Sequence, residues 1–266
     1  VSRNVVVDGV RSFLENYRQE ISHRNTPVDI ASVTQIAEKI ARTILLGERS
    51  SLRPVINATG ILLHTGLGRA PLAEKAIEEM VIIARDYASL ELDLRTGKRS
   101  HRFDAVEGLL CDLTGAEAAA VVNNNAGATM LTLAAIGGGR EVIVSRGQLV
   151  EIGGSYRLPD VMQVSGARLK EVGTTNKTHA DDYENAIGEN TAALMRVHPS
   201  NFTVVGFTAD VTLDAMIQIG KKHDIPVIDD IGSGAVIDLA PYGVHNEPLA
   251  AESIAQGADV VLFSGD

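Results

Sequence analysis

The sequence is short of cysteine, of positive charge and of long apolar runs, and each shortage narrows its possible functions. Its single cysteine, Cys111, excludes a disulfide within the chain and fits a reducing cytosol. No apolar run reaches the ~20 residues of a membrane span, and the N-terminus lacks the pattern of a signal peptide. We therefore expect a soluble, cytoplasmic protein that does not enter a membrane.

Positive charge is scarce overall but unevenly placed. The chain has 24 Lys and Arg against 34 Asp and Glu, a net charge of −10, which argues against nucleic-acid binding by the whole surface. Residues 1–53 hold 8 Lys and Arg against 6 Asp and Glu, a balance of +2, so residues 54–266 carry −12. If any part of the chain binds a polyanion, we expect it to be the first fifty residues.

The chain of 266 residues, 45% hydrophobic and with 25 glycines, suits one large α/β core and a smaller module. Helical periodicity predicts two amphipathic helices over 5–23 and 28–49, separated at Asn25-Thr26-Pro27. We predict three parts: an N-terminal helical module (1–51), an extended segment with a helix and a basic loop (52–102), and a large domain (103–266). The module either completes an oligomer interface or binds a partner.

The large domain alternates apolar strands with helices. Strands are predicted over 118–122, 141–145, 168–172, 192–197, 226–228 and 259–263, and helices over 73–85, 103–113, 129–136, 154–161, 180–187 and 213–223. This alternation predicts the α/β class, with a largely parallel sheet and helices on both faces.

Polar residues follow several of these strands, at the sheet edge where open α/β folds bind ligands. They are Arg146-Gly147-Gln148, His198-Pro199-Ser200-Asn201, Asp229-Asp230-Ile231-Gly232-Ser233-Gly234 and Ser264-Gly265-Asp266. The small-residue loop at 123–128 precedes a helix, whose N-terminus favours an anion. Neither a P-loop nor a GxGxxG motif is present, so one phosphate on a small cofactor fits better than a nucleotide. Together these features favour an enzyme that holds a protonated heterocycle and a phosphate.

Several stretches resemble a known family. Residues 106–117, before the small-residue loop, resemble the fold-type I pyridoxal-phosphate enzymes. More specifically, residues 57–69, 145–154, 173–179, 230–234 and 263–266 resemble the bacterial selenocysteine synthases, the L-seryl-tRNA(Sec) selenium transferases. The resemblance extends over nearly the whole chain and implies a seven-stranded-type sheet with a small N-terminal helical module.

The resemblance also implies an activity and its partners. Seryl-tRNA(Sec) would lose its β-hydroxyl on pyridoxal 5'-phosphate and then take up selenium from selenophosphate. The N-terminal module would contact the tRNA. The family forms rings of dimers with active sites at subunit interfaces, so we expect a homo-oligomer.

The same resemblance implies roles for individual residues. Asp230 would pair with the pyridine nitrogen of the cofactor, and Asp266 would serve proton transfer beside the Schiff-base lysine. The remaining cofactor-binding residues would be Asn125, Ala126, Gly127, Ala128 and Ser264 at the phosphate, and Arg146, Gln148, Ser200, Asn201 and Ser233 near the ring. Arg99 and Arg102, in the basic loop at 95–102, would bind the selenium donor, although a solvated charge run is the usual explanation of such a loop. We assign no metal ligands.

In the family the Schiff-base lysine directly follows Ser-Gly-Asp, and we expect it immediately after Asp266 in a longer protein. Two alternatives remain open. A paralogue with the same cofactor site would be a lyase or ammonia-lyase for a small amino acid or amino-sugar acid. A non-enzymatic protein would bind the cofactor or a partner without turnover. A small-substrate enzyme needs no tRNA affinity. The N-terminal module and the basic loop therefore discriminate between a selenium transferase and the small-substrate paralogue.

Overall fold

A computed structural model describes residues 2–23, 32–47, 52–152 and 156–266. The chain forms two compact units, Val1–Ile61 and Leu62–Asp266. The division of the sequence into three parts stays a prediction.

The smaller unit contains two helices, α1 (Arg3–Ser22) and α2 (Val33–Gly47), as the periodicity predicted. They pack closely at Gly9, where an added Cβ would lie 2.5 Å from Cγ1 of Ile44. The predicted break at Asn25-Thr26-Pro27 lies outside the described residues.

The larger unit alternates helices and strands along the chain. Its elements are α3 (Glu74–Arg85), α4 (Asp104–Thr114), α5 (Asn125–Gly137), β1 (Glu141–Ser145), β2 (Glu151–Ile152), β3 (Tyr156–Arg157), α6 (Leu158–Ser165), β4 (Arg168–Val172), α7 (Ala180–Ala186), β5 (Thr191–Val197), α8 (Leu213–His223), β6 (Val227–Asp230), α9 (Ala250–Gln256) and β7 (Val260–Leu262). Five strands form a parallel sheet in the order β4-β1-β5-β6-β7, and β2 pairs with β3 in a separate antiparallel ribbon. The predicted parallel α/β fold is confirmed.

Some predicted details differ from the structure. Residues 118–122 form no strand, because no described strand lies beside them to take their backbone hydrogen bonds. Val121, within this run, is 47% exposed. The sheet has five strands within the described ranges, where the resemblance implied seven. Helix α5 begins four residues before the predicted 129, since the side chain of Asn124 caps it by accepting a 2.8 Å hydrogen bond from the Gly127 N–H. The predicted helix 154–161 runs from 158 to 165 instead, after the short strand β3.

Helices cover both faces of the sheet because side chains alternate along each strand. On β1, Val142 and Val144 pack with Leu133 of α5 and Met162 of α6, all fully buried. Ile143, between them, joins the opposite cluster, in which α7 and α8 contribute apolar side chains. None of the helices in the described ranges is long and apolar enough to cross a membrane.

The same alternation separates two adjacent carboxylates on β6. Asp229 lies opposite Arg196 of β5, and their side chains form an ion pair with Nε 2.7 Å from Oδ1. Both carboxylates are buried, but Asp230 receives its contacts from α5, on the other face. One carboxylate is therefore a structural anchor, and the other faces the candidate site.

Candidate functional site

The centre of the candidate site is Asp230, at the carboxyl end of β6. Its side chain is bound by three donors. Asn125 Nδ2 lies 2.8 Å and the Gly232 N–H 3.0 Å from Oδ1, and the Thr129 hydroxyl lies 3.2 Å from Oδ2. Asp230 is 3% exposed, and burial is the largest influence on it, raising the pKa of the carboxyl above its usual value. A cationic heterocycle beside this buried carboxyl would offset the effect of burial and favour its charged form.

The N-terminus of α5 lies beside this carboxyl. Asn124 caps the Gly127 N–H, and the Ala128 N–H donates to the Asn124 carbonyl at 3.0 Å. Helix geometry leaves the N–H groups of Asn125 and Ala126 without intrahelical acceptors, and the helix dipole adds partial positive charge there. This end of α5 can therefore hold an anionic group near Asp230.

Two turns after neighbouring strands approach each other closely next to Asp230. Gly232 has a φ of +69°, and an added Cβ would lie 2.9 Å from Cβ of Ser200, so glycine is required. The His198 N–H donates to the Asp230 carbonyl at 2.8 Å, which ties the two turns together. Burial lowers the pKa of the His198 ring. Ser200 thus lies next to Gly232, in the turn beside Asp230.

The turn after β7 brings Ser264 and Asp266 to the same edge. The Ser264 N–H donates to the Gly232 carbonyl at 2.8 Å. Arg69 donates to Ser264 Oγ at 2.9 Å and forms an ion pair with the Asp266 carboxylate. Arg69 has a φ of +65°, a conformation that costs a non-glycine residue about 1 kcal/mol or more, and its N–H donates to the His64 carbonyl. The turn therefore holds a guanidinium against Ser264 and Asp266.

Three other predicted site residues have hydrogen-bond partners within the protein. The hydroxyl of Ser233 donates to Glu247 at 2.9 Å. Asn201 reaches the Glu151 carbonyl at 3.4 Å. Gln148 Oε1 accepts the Val197 N–H at 3.0 Å, so this buried side chain satisfies the end of β5.

The predicted arginines are not gathered at Asp230. Arg146 pairs with Glu171 at 3.0 Å and donates to the Gly173 carbonyl, and it follows β1, two strands away from β6, or about 10 Å across the sheet. Arg99 and Arg102 both pair with the single carboxylate of Glu91. The hydrogen bond from Arg102 is the largest influence that lowers the pKa of Glu91, and Arg99 contributes further.

Three residues at the site were not predicted as site residues: Arg69, Thr129 and Tyr156. Thr129 follows Asn125 by four positions, a spacing that places both side chains on one face of α5, and this signal was present in the sequence. The phenol of Tyr156 lies near Thr129 and Asp230, and burial raises its pKa to about 12. Arg69 lies in a glycine-rich turn, and no local pattern indicates its distant partners.

The residues around Asp230 fit pyridoxal phosphate. The side-chain oxygen of Asn125 is buried and has no hydrogen-bond partner within the described part of the chain, so a polar group is missing next to Asp230. An acidic side chain for a ring nitrogen and a helix N-terminus for a phosphate lie on the same edge of the sheet. This chemistry matches a phosphorylated pyridine.

The fold and site together define the class. The unit is the large-domain architecture of the fold-type I pyridoxal-phosphate enzymes, an open parallel sheet with its polar residues beyond the carboxyl ends of the strands. The solved structure of D-glucosaminate-6-phosphate ammonia-lyase superimposes with a TM-score of 0.60 over 76% of this chain and 52% of that one. Its sequence identity is 21%, so this likeness concerns the fold alone.

Sequence comparison then gives the family. The family model of L-seryl-tRNA selenium transferase (SelA) matches residues 55–266. The chain is 50% identical to the L-seryl-tRNA(Sec) selenium transferase of Geobacter metallireducens over 264 residues, and 51% identical to that of Caldanaerobacter subterraneus over 264 residues. The chain belongs to the L-seryl-tRNA selenium transferase family. The aligned region covers 99% of this chain in both comparisons but only 57% of each relative.

Proposed function

We propose that this chain carries the cofactor site of a selenium transferase that converts seryl-tRNA(Sec) into selenocysteyl-tRNA(Sec) with selenophosphate, in the cytoplasm. The observation that carries the proposal is Asp230, buried at the end of β6 and held by Asn125 and Gly232 beside the N-terminus of α5. Identity of 50% to relatives named for this reaction supports the tRNA substrate over a small-molecule one. The likeness to an ammonia-lyase does not favour the alternative, since it concerns the fold alone.

When bound, pyridoxal phosphate would supply an electron sink for removal of the serine β-hydroxyl and addition of selenium. Asp230 would hold the proton of the pyridine nitrogen, and Asn125 and Gly232 would fix the orientation of the carboxylate. The first turn of α5, residues 125–128, would hold the phosphate through backbone N–H groups. Ser200 would border the ring next to Gly232.

Arg69 and Asp266 would act at the other end of the site. The ion pair with Arg69 fixes the Asp266 carboxylate, and Ser264 is bound by the same guanidinium. Asp266 would then accept or return a proton beside the Schiff-base lysine, which we expect to follow it directly. Gln148, Asn201, Ser233 and Arg146 would contribute only indirectly, because their polar groups already have protein partners.

The cofactor proposal is tested by borohydride reduction of the full-length protein. We expect a visible absorbance band that disappears on reduction, and a pyridoxyl adduct on the residue after Asp266, identified by peptide mass. Filter binding of seryl-tRNA(Sec), with another seryl-tRNA as the control, then separates the tRNA substrate from a small one. Absence of both the band and the adduct would overturn the cofactor site.

Arg99 and Arg102 remain our proposed residues for the selenium donor. Both pair with Glu91, so an incoming anion would have to displace that carboxylate. We therefore expect Glu91→Gln to tighten binding of selenophosphate several-fold, because two charge-assisted contacts are released. Isothermal titration measures this, with Glu79→Gln on the exposed surface of α3 as the control. Unchanged affinity would mean that the two arginines only brace the loop.

The proposed homo-oligomer is supported by the apolar surface of α3. Met80, Ile82 and Ile83 are 59%, 58% and 58% exposed, and soluble proteins seldom leave such a cluster in water. Light scattering of the full-length protein measures the mass. A monomer at micromolar concentration would contradict the proposal.

A further inference from the structure

The hydroxyl of Thr129 lies between two acceptors in the interior of the larger unit. Thr129 is fully buried, and its Oγ1 is 2.9 Å from the Asn125 carbonyl and 3.2 Å from Asp230 Oδ2. A hydroxyl has one hydrogen, so Thr129 donates to only one of these acceptors at a time. Its lone pairs are able to accept a hydrogen in return.

The two oxygens of Asp230 are not equivalent. Oδ1 accepts two N–H groups, from Asn125 and Gly232, whereas Thr129 is the partner of Oδ2 among the described residues. A proton on this carboxyl therefore belongs on Oδ2, since Oδ1 already faces two donors. The group would donate that proton to Thr129 Oγ1, and the Thr129 hydrogen would point to the Asn125 carbonyl.

The ionised carboxylate needs the opposite arrangement. With a cation beside Oδ2, the proton has left that oxygen, and the Thr129 hydrogen is free to turn towards it. A hydroxyl satisfies both states by rotating its hydrogen alone, whereas an ammonium only donates and a methyl does neither. The phenol of Tyr156 lies near the same hydroxyl.

We propose that Thr129 is a positioning residue that satisfies Asp230 in both protonation states, by turning its single hydrogen between the Asn125 carbonyl and Asp230 Oδ2. This inference rests on the proposed function, because the cation is the pyridine nitrogen of pyridoxal phosphate. Where the free carboxyl carries its proton on Oδ2, that O–H bond would break and an N–H bond would form at the ring nitrogen, so the proton would pass from Asp230 to the cofactor.

The test compares pyridoxal phosphate with its 1-deaza analogue, in which a carbon replaces the ring nitrogen, so that no proton is exchanged with Asp230. In the full-length protein, Thr129→Val keeps the shape of the side chain and removes the hydroxyl. We expect it to weaken pyridoxal-phosphate binding about 10-fold, because the bound protein loses a hydrogen bond to a charged group and the free protein loses only one to a neutral acid. Analogue binding should change less than about 2-fold, because the carboxyl stays neutral in both states. Thr129→Ser, which keeps the hydroxyl, should bind both ligands as the wild type does.

Equal losses for both ligands would overturn the inference, because they would mean that Thr129 contributes only packing. Wild-type binding of pyridoxal phosphate by Thr129→Val would overturn it as well, while leaving the proposed function in place. A wild-type protein that binds neither ligand would overturn both. Thermal unfolding identifies variants that fail to fold, and Thr129→Ala provides a second hydroxyl-free variant for the same comparison.

Discussion

At the scale of single residues, Asp230 links burial to the pH dependence of stability. Its pKa is raised in the folded protein, so the folded state retains a proton that the unfolded chain has lost. Between the unfolded value near 3.8 and the raised folded value, the folded state binds more protons, and stability falls as the pH rises through this window. At a pH above the pKa of Asp230 in the folded state, the protein without cofactor carries a buried negative charge on this carboxylate.

Asp230→Asn should remove this dependence. The amide copies the neutral acid, since its oxygen accepts from Asn125 and Gly232 and its nitrogen donates to Thr129. We expect the free energy of unfolding of the variant, relative to wild type, to increase as the pH is raised from 4.5 to 8 without cofactor. Urea titrations at each pH measure this, with Asp112→Asn on the exposed side of α4 as the control. A difference that is constant or shrinks with pH would contradict the assignment.

Individual residues also show which parts of the site the sequence can predict. Asp230 was predicted because polar residues at the end of an apolar strand face the ligand edge of a parallel sheet. The pairing of Arg99 and Arg102 with Glu91 was not, since a basic loop in sequence does not reveal that a nearby carboxylate folds back onto it. Arg69 was missed because its contacts with Ser264 and Asp266 span almost 200 residues.

At the scale of elements, α8 packs on the sheet through a glycine. An added Cβ on Gly220 would lie 2.6 Å from the Ile225 carbonyl oxygen and 2.7 Å from Cγ2 of Val227. Gly220→Ala should therefore destabilise the protein by about 1–3 kcal/mol, although alanine is the better helix former.

Gly108 of α4 is the matched control for Gly220. No atom lies within 4 Å of its added Cβ, so Gly108→Ala should stabilise by about 0.5–1 kcal/mol. Chemical denaturation measures the free energy of unfolding of both variants. If Gly220→Ala were more stable than the wild type, the contact of α8 with Ile225 and Val227 would have room for a methyl group.

An ion pair between Arg196 and Asp229 joins the neighbouring strands β5 and β6. Asp229 is fully buried, so Arg196→Met would leave an uncompensated charge and should cost about 3–5 kcal/mol. The double variant Arg196→Met/Asp229→Leu removes both charges and should recover most of that loss. Recovery is measured by urea denaturation, and its absence would mean that packing rather than charge holds the two strands in register.

Most elements of the larger unit were predictable because each strand is an apolar run and each helix has one apolar face. The strand expected at 118–122 was wrong for a reason that the run itself does not contain. An apolar run indicates burial, but a strand also requires a neighbour to take its hydrogen bonds. The start of α5 was placed too late because capping by Asn124 outweighs the periodicity of the apolar residues.

At the scale of the whole molecule, the two units have different predicted partners. Arg11 and Arg18 are exposed on α1 and seven positions apart, on one face of the helix. If the N-terminal module contacts tRNA, then Arg11→Glu/Arg18→Glu should weaken seryl-tRNA(Sec) binding at least about 10-fold at low salt and reduce the salt dependence by about one or two phosphate contacts. The cofactor absorbance should not change.

The control for this variant carries the same charge change on the larger unit. Arg168→Glu/Lys221→Glu alters two exposed cations there. Filter binding across a salt series compares the two variants. Equal loss in both would indicate that only net charge matters and that the helical module has no specific part in tRNA binding.

The placement of Asp229 and Asp230 on opposite faces of β6 constrains how the sequence of this strand can evolve. Side chains alternate with a strict period of two, so inserting or deleting one residue before this pair would exchange the two carboxylates. The anchor for Arg196 would then point to the cofactor edge, and the site's acid would point into the α8 layer. The strand can therefore exchange one apolar residue for another, but its length is fixed, and alignments of related chains should contain substitutions in β6 without gaps.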